Sequence, residues 1–130
     1  MALRWFKRDR PAEIWDERID GPIGDLDAAH RIRDICRSAA DSAQQVAGLA
    51  GKSDSKKKKR EAERYERAAK AALTIAMKIS DDLLRDAAVR QIIDLCMKAD
   101  DLARARILLR AIQAASIREG VLQEHPALAQ

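Results

Sequence analysis

Between Asp25 and Ala50 an apolar series, Ala29, Ile32, Cys36, Ala39, Ala43, Val46 and Ala50, recurs in steps that alternate between three and four. A helix of 3.6 residues per turn sets that spacing on one face, whereas a strand would scatter it over both. The seam is narrow and built mostly of small side chains, so a second helix can approach closely. Composition points the same way. Only 3% of the residues are aromatic, while apolar residues in total reach 47% and are dominated by Ala. A sheet core draws on β-branched and aromatic residues, so an Ala-rich chain poor in rings is expected to pack helix on helix.

The rest of the chain keeps the helical period. Residues 56–79 carry Tyr65, Ala68, Ala69, Ala72, Leu73, Ala76, Met77 and Ile79 on one side. Residues 82–99 follow, with a stripe of Leu84, Ala88, Ile92, Leu95 and Ala99 widened by Val89, Ile93, Cys96 and Met97. A last helix is expected over 102–123, with Ala105, Leu108, Leu109 and Ile112, ended by Pro126. The acid pairs Asp81-Asp82 and Asp100-Asp101 sit at helix starts, where exposed N–H groups favour negative charge. Asp25 is the expected N-cap of the first helix, and 51–55 the loop after it. Residues 1–24 form an arm and 124–130 a tail. The expected fold is all-α: one domain, a small antiparallel helical bundle of about four principal helices, with no strand pattern anywhere.

Sliding the chain by 33 positions sets Ala72 on Ala105, Ile79 on Ile112, Arg85 on Arg118 and Asp86 on Glu119. With short helices joined by Asp-rich turns, residues 65–123 resemble a tetratricopeptide-type helical hairpin repeat. That resemblance implies a concave surface for a peptide or helix of a partner, and no catalysis. A closed bundle and a short solenoid both remain open at this point.

Several motifs fail on spacing. Gly51-Lys52-Ser53 ends like a phosphate-binding loop, but Val46 stands where its first glycine is required and a helix precedes it. Asp16, Asp20, Gly21, Ile23 and Asp27 match positions of a calcium-binding EF-hand loop; Arg18, however, takes a ligand position, and the final acid is the shorter Asp. A turn between a short helix and a long one is the preferred reading. His30 and His125 have no neighbouring Ser or Cys nucleophile, and Cys36 and Cys96 lie 60 positions apart with no CxxC. No catalysis, cofactor or metal is therefore expected. Two isolated cysteines and the lack of an apolar leader or span suggest a reduced, cytoplasmic protein.

The net charge of +4 is unevenly placed, with basic blocks at 1–10 and 56–70 flanking an acidic one at 11–35. Lys56 to Arg60 run unbroken, but five successive helical residues sweep about 400 degrees, so they form a ring of charge rather than a face. Cations in a first turn oppose the helix dipole, which suggests fraying there. From Glu61 onward, i,i+4 pairs such as Glu63 with Arg67 and Glu66 with Lys70 are expected.

The function expected from these features is binding of another protein, through the aromatic arm (Trp5, Phe6, Trp15) and through Leu108, Leu109 and Ile112, which exceed what one seam should bury and would favour self-association. The alternative is sequence-independent binding of nucleic acid or another polyanion by Arg4, Lys7, Arg8, Lys56, Lys57, Lys58, Lys59 and Arg60.

Overall fold

The computed structural model describes residues 13–19, 21–49 and 55–129. Among these residues the secondary structure is entirely helical: α1 (Asp25–Gly48), α2 (Ser55–Ala76), α3 (Asp82–Lys98), α4 (Leu102–Ala111) and α5 (Ala115–Glu124), with 3-10 turns at Ile14–Asp16 and Pro126–Ala129. The protein is a packed all-α bundle. Among the described residues no helix is long and apolar enough to cross a membrane.

α1 packs against both α2 and α3, and α3 in turn carries α4 and α5. Small residues make these contacts close: Ala28, Ala39, Ala43, Ala68, Ala72 and Ala76 are fully buried. The buried face of α1 is centred on Ala28, Ile32, Ile35, Ala39, Ser42 and Ala43, slightly rotated from the expected seam, so Ala29, Cys36 and Val46 are only half-buried. α3 is the central helix. Ala88, Val89, Ile92, Ile93, Leu95 and Cys96 are all buried, because it has neighbours on several sides.

Two of the helix starts follow the sequence expectation. Asp81 caps α3 by accepting from the Leu84 N–H at 2.8 Å, and Asp101 caps α4 by accepting from the Arg104 N–H at 3.2 Å. The turn between them reverses the chain through Asp100, whose φ of +58° is left-handed. The Asp101 N–H reaches Cys96 O at 2.8 Å and the Asp100 N–H reaches Met97 O at 3.1 Å, a Schellman closure that satisfies carbonyls at the end of α3.

Asp25 differs from expectation. Gly24 occupies the N-cap position of α1, and the Asp25 carboxylate instead accepts from the backbone N–H groups of Ser80 at 2.9 Å and Asp81 at 3.0 Å. The N-terminal ends of α1 and α3 are thereby tied side by side. These hydrogen bonds hold the Asp25 carboxyl below its ordinary pKa.

The helix expected over 102–123 is broken at Ile112–Ala114, giving α4 and α5. Asp86, buried at 2% exposure on α3, accepts from the N–H groups of Gln113 at 3.2 Å and Ala114 at 2.9 Å. Arg118 donates to Ile112 O at 2.8 Å. The same wiring occurs at the α2–α3 junction, where Arg85 donates to Ile79 O at 3.2 Å and Asp25 takes the two N–H groups that follow. Ile79 and Ile112, like Arg85 and Arg118, are 33 positions apart. An aliphatic residue, an arginine six positions on and a carboxylate from a neighbouring helix thus turn the chain twice in the same way.

Candidate functional site

A groove runs between α1 and α3. Its walls are two stripes of identical spacing: Arg33, Cys36, Arg37 and Ala40 on α1, and Gln91, Asp94, Leu95 and Lys98 on α3. Each set steps by three, one and three, so all four residues lie on one face of their helix. Each stripe also begins about two turns above its helix start. Because Asp25 pins those starts together, the stripes come level with one another. The open groove holds about 270 Å³. Arg33, Arg37 and Lys98 are exposed around it, Leu95 is buried beneath it, and Cys36, Ala40, Gln91 and Asp94 are half-buried.

Charge in the groove is mostly positive, with three cations against the single carboxylate of Asp94. Burial pushes the Cys36 thiol up to about 12, helped by the proximity of Cys96 and Asp94 and opposed by Lys98. A thiol so far above neutrality is protonated and a poor nucleophile, so Cys36 serves the groove as an apolar surface. Cys96 behaves similarly, raised to about 11 chiefly by burial.

Beyond the groove, His125 follows α5 and directs its Nε2 to Asp94 Oδ1 at 2.9 Å. Glu124 pairs with Arg90 on α3. The expected tail is therefore anchored against α3, and its end is fixed further by Leu128, which is 5% exposed.

The residues singled out in the sequence are dispersed. Trp15 is buried, with Arg64 of α2 stacked 5.5 Å from its ring centroid, so it adds bulk to the Ala-rich core and offers little surface to a partner. Leu108, Leu109 and Ile112 are core residues, because α4 turns them onto α3 and the break after Ala111 folds Ile112 inward. Buried in this way, they offer little surface to a partner or to a second copy of the chain. Among the described residues, the large apolar side chains left outside are instead Leu26, Met77, Leu83 and Ile107.

Lys56 to Arg60 belong to the first turns of α2, and all are exposed except the half-buried Lys58. Trp5, Phe6, Arg4, Lys7 and Arg8 lie outside the described residues. Asp16, one of the calcium-loop matches, closes a 3-10 turn and pairs with Arg67; Asp20 also lies outside the described residues.

Charges on α2 are matched across elements more than along the helix. Glu66 binds Arg104 of α4 at 2.6 Å, and the Tyr65 hydroxyl donates to Asp101 Oδ2 at 2.7 Å. Arg104 also lies over the Tyr65 ring at 5.6 Å. Burial and this hydrogen bonding drive the Tyr65 pKa far upward, and the Glu66 contact does the same for Arg104. The cluster fastens α4 onto α2.

Comparison with protein-family models, with curated proteins and with solved structures finds no match to this chain.

Proposed function

We propose that this chain is a non-catalytic protein-interaction module whose α1–α3 groove receives an acidic segment of a partner. The observation that carries this reading is the convergence of Arg33, Arg37 and Lys98 from two helices on a floor containing Cys36, Ala40 and Leu95. Cations above an apolar floor suit a carboxylate side chain beside an aliphatic one. At about 270 Å³ the space takes one or two side chains rather than a whole cofactor. The resemblance of residues 65–123 to helical hairpin repeats, a family that binds segments of partner proteins, favours protein binding in general.

Polyanion binding is the second reading, favoured by the exposure of Lys56, Lys57, Lys59 and Arg60 in the first turns of α2. Fluorescence anisotropy separates the two. A labelled glutamate-rich peptide should bind the wild type and be lost on Arg33→Glu with Arg37→Glu. Binding of duplex DNA without binding of the peptide would favour the second reading and overturn the first.

A further inference from the structure

We propose that Asp94, Glu124 and His125 form a site for a divalent first-row transition ion of the Zn²⁺ type, which would staple the end of α5 to α3. The His125 imidazole and the Asp94 and Glu124 carboxylates each offer a ligand atom, and the three atoms lie within 4.8 Å of one another. They come from two elements some thirty residues apart in the chain. Carboxylates alone would suit a hard ion that wants oxygen; an imidazole nitrogen among them shifts the preference to zinc and its neighbours.

The geometry needs little change. Around a tetrahedral zinc with bonds of about 2.0–2.1 Å, ligand atoms stand roughly 3.3 Å apart. His125 Nε2 and Asp94 Oδ1, now at 2.9 Å, would open slightly, while Glu124 would close in by rotation of its terminal torsions. The imidazole is carried on a fixed backbone. The His125 N–H reaches Val121 O at 2.8 Å, and His125 O accepts from the Leu128 N–H at 3.0 Å, with the Leu128 side chain buried. Both the imidazole and the Asp94 carboxylate are partly shielded from solvent, with 21% and 37% of their side-chain surface exposed.

Without an ion, the positive charge beside Glu124 is supplied by Arg90. Its guanidinium crosses α5 at Gly120, where an added Cβ would stand 3.1 Å from Nη1. An incoming dication would displace Arg90 from Glu124 and balance the two carboxylates itself. A fourth coordination position stays open to water.

Titration calorimetry of the full chain with ZnCl2 tests the site, paired with thermal melts in the same buffer. The expected result is one saturable site and a raised melting midpoint. His125→Ala and Asp94→Asn should each weaken binding by about tenfold or more. His30→Ala and Cys36→Ser should leave it unchanged, whereas Arg90→Gln should tighten it by removing the competing guanidinium. Melts of each variant without zinc confirm that it is folded. Absence of saturable binding to the wild type, full affinity in folded His125→Ala, or loss of binding in Cys36→Ser would overturn the assignment.

Discussion

Two basic regions among the described residues differ in how their charge is assembled. Lys56 to Arg60 are contiguous in sequence but wind around the start of α2, so their charges point in several directions. Arg33, Arg37 and Lys98 are scattered in sequence but converge in space, because Asp25 sets α1 and α3 level and identical spacing turns both stripes inward. Charge density along a chain attracts any polyanion. Charge converging on a concave apolar surface can select a shape.

The sharpest way to break this contrast is to loosen the helix that carries one groove wall. Asp86→Ala removes a buried carboxylate that accepts two backbone N–H groups on the same α3 that bears Gln91, Asp94 and Lys98. Urea unfolding should show a loss of about 3 kcal/mol, since both donors are left unsatisfied. A loss below about 0.5 kcal/mol would mean that water replaces the carboxylate and the α4–α5 break has another cause.

Next in size is the groove itself. Arg33→Glu with Arg37→Glu should reduce affinity for an acidic peptide by at least about tenfold, roughly 1.4 kcal/mol, with little change in melting midpoint because both side chains are exposed. If the midpoint falls with the affinity, the arginines support the fold rather than a ligand.

A smaller effect is expected from the lysine run. Replacing Lys56, Lys57, Lys58 and Lys59 with Gln should alter stability by only a few tenths of a kcal/mol per residue, upward if at all, as cations leave a helix N-terminus. Peptide affinity should hold while any DNA binding and its salt dependence fall. Loss of peptide binding in this variant would join the two regions into one surface.

The smallest effect concerns the alignment of the groove walls at acid pH. Because the folded pKa of Asp25 is depressed, its contribution is complete above the unfolded value of about 3.9 and fades as pH falls through the folded value. Wild type and Asp25→Asn should therefore differ in melting midpoint at neutral pH and converge in strong acid. A constant difference across that range would assign the effect to something other than the carboxylate.

How much of this was legible in the sequence varied with where the partner groups lay. The all-α class followed from local period and from the scarcity of rings. Asp81 and Asp101 could be read as caps because they act within three residues of themselves. Asp25 and Asp86 act 55 or 56 and 27 or 28 positions away, which no local rule reaches. A signal for the missed break did exist. The 33-residue offset sets the Ser80-Asp81 turn on Gln113-Ala114, but Gln-Ala-Ala reads as good helix, and only the buried Asp86 overrides it. The groove was legible as spacing, Arg33-Cys36-Arg37-Ala40 and Gln91-Asp94-Leu95-Lys98, but nothing local says that those stripes meet. Leu108, Leu109 and Ile112 misled for the opposite reason: as a local excess of apolar surface they suggested a contact face, and it is α3 that covers them.

The most direct measurement is an amide NMR titration of the wild-type chain with a glutamate-rich peptide. The account predicts shifts that saturate together at Arg33, Cys36, Arg37, Gln91 and Lys98, with the Lys56 to Arg60 amides little moved. Shifts confined to Lys56 to Arg60, or none at the groove when peptide is in excess, would contradict it.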